Sequence, residues 1–90
     1  MAKHDYSGLI EKLEGQKWPS DYVFKFIVKG EKDKIDEVLS FFNKEIDTIS
    51  YKSSEKGTYT SITIVRKASS TDEIISVYES MSEIQGIIAL

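Results

Sequence analysis

Three stretches of the chain alternate apolar and polar residues with the two-residue period of a β-strand. In residues 21–30 one side carries Tyr22, Phe24, Phe26 and Val28, and the other carries Val23, Lys25, Ile27 and Lys29. The second and third stretches, residues 47–52 and 58–67, flank a short polar interruption at residues 53–57. Two alternating runs joined in this way predict a β-hairpin. We interpret the final GIIAL as a last short strand.

Two longer stretches carry apolar residues at the spacing of an α-helix. Residues 31–44 place Ile35, Val38, Leu39 and Phe42 on one face, and residues 69–81 do the same with Ile74, Val77, Tyr78 and Met81. Ser70 and Glu73 have the spacing of a capping box, which predicts where the second of these helices begins.

A shorter helix is predicted near the start of the chain. Its apolar stripe consists of Tyr6, Leu9, Ile10 and Leu13. We expect Asp5 to cap it and Gly15 to end it. Trp18-Pro19 then leads into the first strand, because the residue before a proline avoids helical geometry.

After this helix the predicted order is strand, helix, strand, strand, helix, strand. Two interleaved β-α-β units with right-handed crossovers give a four-stranded antiparallel sheet with both helices on one face. We therefore predict an α+β fold of the ferredoxin-like, split β-α-β kind, with strand order 4-1-3-2. Residues 1–90 form a single domain, of which residues 1–17 are an N-terminal extension containing the short helix. The helices should cover the face that bears Phe24, Phe26, Ile62 and Ile64.

Composition narrows the function classes. The chain has no cysteine and a single histidine, His4, so thiolate sites, disulfides and histidine metal clusters are excluded, and we expect neither a metal nor a cofactor. A formal net charge of −3 disfavours nucleic-acid binding. No apolar run is long enough to span a membrane, and acidic residues near the start interrupt any signal-peptide core, so we expect a cytoplasmic protein without a membrane anchor.

The hairpin sequence SSEKGTYTS, residues 53–61, has the most chemically versatile side chains. Its structural interpretation is a turn in which Gly57 takes a positive φ while serine hydroxyls satisfy backbone groups at the end of the ladder. The serines are Ser53, Ser54 and Ser61. The functional alternative is a modest anion site built from these hydroxyls, exposed amides and Lys56.

A second alternative for the hairpin is base stacking on Tyr59. The run from Lys56 to Tyr59 faintly echoes the aromatic strand motif of RNA-recognition domains, which share this order of elements. The outward side of the first strand offers Val23, Lys25 and Ile27 instead of an aromatic residue. A single stacking platform would therefore be available where RNA-recognition domains use two or three.

Several features together resemble the YbeD-like family of small bacterial proteins, a family of unknown function. They are Trp18-Pro19 before the first strand, Gly30 after it, the serine pair, Gly57, Tyr59 and Ser61 of the hairpin, and a chain that ends in the last strand. The resemblance covers about residues 9–90. It implies a fold similar to that of ACT regulatory domains and a role in regulating metabolism.

In ACT domains a glycine at the turn after the first strand lets a small ligand approach the backbone, often at a dimer interface. Gly30 resembles that glycine in position, although a glycine needed only for the turn is the simpler interpretation. Glu31 follows directly and would repel a carboxylate ligand.

We therefore expect a non-catalytic regulatory or interaction module, with a small RNA-binding protein as the alternative. An acylphosphatase-like enzyme shares the fold but needs an arginine near the first strand, and the sole arginine, Arg66, ends the third. The contact surface should be the open sheet face, where Val23, Ile27, Tyr59 and Val65 would meet around Lys25 and Ser61. Its partner would be another protein or a second copy of the chain, and a small-molecule ligand is a further candidate.

Overall fold

Four strands and three helices follow one another along residues 6–90, the part of the chain that the computed structural model describes. The helices are α1 (Ser7–Glu14), α2 (Lys32–Leu39) and α3 (Thr71–Met81). The strands are β1 (Ser20–Lys29), β2 (Thr48–Ser53), β3 (Tyr59–Ala68) and β4 (Ile88–Ala89). Asp5, the expected cap of the first helix, and His4 lie outside the described residues.

The strands form one antiparallel sheet in the order β2-β3-β1-β4, which confirms the predicted order 4-1-3-2. β1 and β3 pair along their whole length, from Ser20 opposite Ala68 to Lys29 opposite Tyr59. β4 is short and pairs only with Phe26 and Ile27 of β1. The two longest strands therefore form the rigid centre of the molecule.

The core lies between the sheet and the helices, as the alternation predicts. Phe24, Phe26, Ile62 and Ile64 are all 0% exposed and point from β1 and β3 toward the helices. α2 and α3 add the buried Val38 and Ile74, and α1 adds Leu13. Burying each large side chain contributes about 1.5–3 kcal/mol, so this one layer accounts for most of the driving force for folding.

α3 begins where the capping box predicts. The backbone N–H of Glu73 donates to Ser70 Oγ at 3.2 Å. The returning bond differs from the standard box, because Glu73 Oε1 accepts from the N–H of Ser69 and not from that of Ser70.

The helix predicted over residues 31–44 is shorter in the structure. α2 ends at Leu39, and the next bonds are of the tighter 3₁₀ kind, with the N–H of Phe42 donating to the Leu39 carbonyl at 3.1 Å. The Ser40 hydroxyl donates to the Glu37 carbonyl at 2.6 Å and so takes up an acceptor of the last turn. Phe42 is nevertheless buried. The periodicity therefore predicted correctly that the Phe42 side chain packs in the core, and wrongly that its backbone is α-helical.

α1 packs on the helix side of the sheet, against α3. It ends before Gly15, as predicted, and Leu13 is its buried residue. The peptide bond between Trp18 and Pro19 is cis. Since every described helix lies on the same side, none of them covers the opposite face of the sheet.

Candidate functional site on the open face of the sheet

The open face is the side of the sheet turned away from the helices. Its residues alternate with the buried ones along each strand. They are Asp21, Val23, Lys25, Ile27 and Lys29 on β1; Thr48, Ser50 and Lys52 on β2; Tyr59, Ser61, Thr63, Val65 and Lys67 on β3; and Ile88 on β4.

Five aliphatic residues form an apolar cluster on the open face: Val23, Ile27, Val65, Ile88 and Leu90. Val23 lies opposite Val65, and Ile27 lies opposite Ile88. The N–H of Leu90 donates to the Lys25 carbonyl at 2.9 Å, so Leu90 continues the line of β4 beside β1. Val23 is 56% exposed, Ile88 50% and Leu90 67%. The geometry of the sheet therefore keeps these large aliphatic side chains exposed to solvent.

The sequence predicted Val23, Ile27, Val65 and Tyr59 together on this face and did not include Ile88 of β4 or Leu90, which follows β4. Tyr59 lies at the hairpin end of β3, opposite Lys29, whereas Val65 lies opposite Val23. The missing signal was the alternation within GIIAL, since Ile87 packs on the core and Ile88 must then point the other way.

Tyr59 lies at the hairpin end of the open face, opposite Lys29. Its side chain is 48% exposed, and it is the only aromatic residue on the open face of the described chain. Tyr51 is more exposed, but its pairing with Ile62 places it on the helix side of the edge strand. The structure thus provides one ring for stacking, as expected from the sequence.

The turn of the hairpin uses the Ser54 side chain for its own backbone. Ser54 Oγ accepts from the Tyr59 N–H at 3.1 Å, and the Ser54 N–H donates to the Tyr59 carbonyl at 2.8 Å. The Gly57 N–H donates to the Ser54 carbonyl at 2.9 Å, and Gly57 has the predicted positive φ, at 72°. The positive φ of Gly57 and the role of Ser54 match the structural interpretation of this sequence. Ser53 and Ser61, which were expected to act in the same way, make no side-chain hydrogen bond to the backbone of the described residues.

The remaining serines of the hairpin do not converge on one site. Ser53 pairs with the buried Thr60 and therefore belongs to the helix side of the sheet, whereas Ser61 belongs to the open face. Lys56 lies in the turn between the strands, and it is exposed. The anion site predicted from these residues would need hydroxyls that the fold places on opposite faces.

Gly30 and Gly57 meet across the end of the sheet. The Gly30 N–H donates to the Thr58 carbonyl at 2.9 Å, and a Cβ on Gly30 would overlap the carbonyl oxygen of Gly57. Gly30 therefore has a structural reason to be glycine, because the hairpin backbone fills the space that its side chain would need. In ACT domains that space is left for a ligand.

Arg66 is held on the helix side by Asp47. Arg66 Nε donates to Asp47 Oδ1 at 3.0 Å and Nη2 donates to Oδ2 at 2.8 Å, while the guanidinium carbon lies 5.2 Å from the centre of the Phe42 ring. The hydrogen bonds from Arg66 hold the pKa of the buried Asp47 carboxyl below its usual range. A cleft of about 170 Å³ opens beside Arg66. Arg66 Nε and Nη2 already donate to Asp47 and are therefore not available to bind a ligand in this cleft.

Sequence reasoning identified Arg66 and missed Asp47. An acid directly before β2 and a lone arginine near the end of β3 are the available signal, because β2 and β3 are antiparallel neighbours. Within residues 6–90, no three histidine, cysteine or carboxylate side chains are grouped to hold a metal ion. None of the described helices combines the length and the apolar character needed to cross a membrane.

Comparison with known proteins identifies a family of unknown function. A family model described as "Protein of unknown function (DUF493)" matches residues 14–90, which include the whole sheet together with α2 and α3. No curated protein and no solved structure matches the chain.

Proposed function

We propose that this protein, which belongs to the DUF493 family of proteins of unknown function, is a non-catalytic regulatory or interaction module that binds a partner through the open face of its sheet. The resemblance to YbeD-like proteins supports an ACT-like regulatory role in the bacterial cytoplasm. The absence of cysteine is consistent with such a reducing compartment.

The observation that carries the proposal is the apolar cluster. Among the described residues seven large hydrophobic side chains are exposed, and Val23, Tyr59, Ile88 and Leu90 share the open face. Scattered single exposures are normal on any surface, whereas several large apolar side chains on one face of a sheet favour an interaction site. Because β1 and β3 pair along their whole length, the group needs no rearrangement to meet a partner.

The positions of the perturbed ionisable groups support a non-catalytic role. Asp47 is bound to Arg66, and Tyr78, whose pKa is raised chiefly by burial, shares a hydrogen bond with Tyr22. Both lie on the helix side and belong to the structural core or its border. Catalytic sites collect such groups in an accessible cleft. Arg66 borders the cleft on the helix side, but its guanidinium is bound to Asp47, and none of the perturbed groups reaches the open face.

The test replaces Ile27 by glutamate on the open face. Ile75 on α3 provides a matched control, because it is also a partly exposed isoleucine outside the core. We expect Ile27→Glu, but not Ile75→Glu, to abolish either self-association in sedimentation velocity or retention of specific proteins from the native cell extract. Circular dichroism of both variants must first show the wild-type spectrum.

The proposal is wrong if the wild-type protein is monomeric and retains the same proteins as Ile27→Glu. Salt-sensitive binding of single-stranded RNA that is lost in Tyr59→Ala would replace it with the RNA-binding alternative.

A further inference from the structure

Charge is distributed unevenly between the two sides of the molecule. The side chains of the open face include four lysines, Lys25, Lys29, Lys52 and Lys67, and one acid, Asp21. The three helices carry eight carboxylates against three lysines. The carboxylates are Glu11, Glu14, Asp33, Asp36, Glu37, Asp72, Glu73 and Glu79, and the lysines are Lys12, Lys32 and Lys34. A chain with a net charge of −3 thus presents a positive sheet and a negative helix layer.

Among residues 6–90, no carboxylate lies within ion-pair distance of the lysines of the open face. The ion pairs of the described residues join Lys32 to Asp36 and Lys34 to Glu37 on α2, and Arg66 to Asp47. Asp21 lies opposite Lys67 at the far end of the face, away from Lys25 and Lys52. Lys25, Lys29 and Lys52 therefore give the surface around the apolar cluster a local excess of positive side chains.

The positive and apolar groups alternate within the same surface. Lys25 lies between Val23 and Ile27 along β1, and Leu90 flanks it from the side of β4. Lys52 extends from β2 opposite Ser61, which in turn is opposite Ile27. A complementary surface must therefore offer aliphatic side chains and carboxylates together.

We propose that the partner of the open face is an acidic, amphipathic segment of another protein. This inference rests on the proposed interaction function and specifies which kinds of side chain the partner must present. Aliphatic side chains of the segment cover the apolar cluster, and its aspartates and glutamates neutralise Lys25 and Lys52. Such complementarity selects the partner and speeds its approach more than it adds raw affinity.

A second copy of the chain fits this surface poorly. Two open faces packed about a two-fold axis would bring the lysines of one against those of the other, and like charges at an interface are costly. Packing the open face onto the acidic helices of another copy would satisfy the charges, but such a head-to-tail contact produces a ring or an open chain of molecules and not a two-fold dimer.

A nucleic acid supplies the negative charge and leaves the apolar cluster uncovered. Single strands bind by stacking their bases on aromatic rings, and Tyr59 is the one such ring on the open face of residues 6–90. The centre of the face consists of aliphatic residues, which a protein segment covers with side chains of its own.

The experiment selects peptides from a random display library on the immobilised wild-type protein. We expect the selected sequences to be enriched in aspartate and glutamate together with leucine, isoleucine, valine or phenylalanine, relative to the starting library. Two synthetic forms of the best peptide, one with every carboxylate changed to its amide, then measure the contribution of charge by fluorescence anisotropy.

Two double variants locate the charge effect on the molecule. Lys25→Glu/Lys52→Glu reverses the sign of the side-chain charge on the open face. Lys12→Glu/Lys32→Glu makes the same change in net charge on the acidic helices. We expect the first to weaken binding of the acidic peptide by about tenfold or more and the second by less than about twofold. The amide form of the peptide should bind wild type and Lys25→Glu/Lys52→Glu equally.

The outcomes separate this inference from the function on which it rests. Neutral or basic peptides whose binding is lost in Ile27→Glu would overturn the acidic partner and leave the open face as the interaction site. Peptides whose binding is unaffected by Ile27→Glu would overturn both. Concentration-dependent assembly of the wild type that Lys25→Glu/Lys52→Glu abolishes, or single-stranded oligouridylate that binds tighter than any selected peptide, would assign the positive face to a second copy or to RNA instead.

Discussion

Gly30 has no room for a side chain because the backbone of the hairpin lies directly against it. The Gly57 carbonyl oxygen occupies the position of the missing Cβ, and the Thr58 carbonyl accepts the Gly30 N–H. Gly57 has the opposite requirement, since the space around it is open and its φ of 72° alone favours glycine. Neighbouring glycines are therefore retained for different physical reasons.

Gly30→Ala should destabilise the protein by about 1–3 kcal/mol, because the hairpin must move away to admit one methyl group. Urea denaturation followed by circular dichroism measures the loss. Gly8→Ala is the matched control: nothing lies within 4 Å of its added Cβ, and alanine is favoured over glycine within α1, so this variant should be as stable as wild type or more so. Equal denaturation midpoints for Gly30→Ala and wild type would contradict the contact.

The sequence predicted the conformation of Gly57 and could not predict its contact with Gly30. Turn chemistry is local, and a glycine closing a polar loop between two strands carries enough information. The contact depends on how far β3 slides along β1, which the packing of Phe24, Phe26, Ile62 and Ile64 decides. For that reason a ligand-binding glycine and a packing glycine look alike in the sequence.

At the scale of elements, the pair of Asp47 and Arg66 holds the segment between α2 and β2 on the sheet. Asp47 also accepts a hydrogen bond from the N–H of Asn43 at 2.9 Å. One buried carboxylate therefore binds both the backbone of this segment and Arg66 of β3. Its partner is 19 residues away in the chain. Local periodicity extends the helix through residue 44 because it carries no information about this distant contact.

Asp47→Asn should lower the free energy of unfolding by about 2 kcal/mol at neutral pH, since it removes the charge from a bidentate hydrogen-bonded pair. The pKa of Asp47 is lowered in the folded state, so its stabilisation is present above the carboxyl pKa of the unfolded chain and is lost as pH falls through the folded value. The gap between wild type and Asp47→Asn should therefore close in acid. Urea unfolding at a series of pH values measures it.

Asp36→Asn is the control for that experiment. It breaks an ion pair with Lys32 in which both side chains are largely exposed, and exposed pairs contribute little. A gap for Asp47→Asn that is the same at neutral and acid pH would show that its loss is one of packing and not of charge.

The number and type of elements followed from the sequence, because each strand and helix carries its own period. All four strands and three helices of the described chain lie where an alternating run, an apolar stripe or a final apolar segment predicts them. The sequence did not predict that Ile88 and Leu90 lie on the open face, because a two-residue strand is too short to show a clear alternation of apolar and polar residues.

At the scale of the whole molecule, net charge conceals the arrangement that matters for binding. A value of −3 argued against nucleic-acid binding, yet the fold gathers Lys25, Lys29, Lys52 and Lys67 on one side and the acids of the helices on the other. The average describes the solubility of the chain, whereas a partner meets one face at a time. The strand register supplies that information, and the composition does not.

The buried Tyr78 makes the stability of the fold depend on pH in the alkaline range. Its ring packs against Phe24 and Phe26, with ring centres 5.4 and 6.0 Å apart, and its hydroxyl lies 2.9 Å from that of Tyr22. Burial, followed by the hydrogen bond with Tyr22, raises the pKa of Tyr78 well above its usual value. The folded state therefore keeps a proton that the unfolded chain releases near pH 10.

It follows that the contribution of Tyr78 to stability is complete below about pH 10 and falls as pH rises further, with a slope of about 1.4 kcal/mol per pH unit. Tyr78→Phe removes the ionisable group and keeps the ring, so its free energy of unfolding should start about 1 kcal/mol lower at neutral pH, for the lost hydrogen bond, and then decline less steeply. Urea unfolding between about pH 8 and 11 measures both slopes. Tyr51→Phe, at an exposed tyrosine of the edge strand, is the control and should keep the wild-type slope. If Tyr78→Phe declines as steeply as Tyr51→Phe, the alkaline limit of the fold lies in another group.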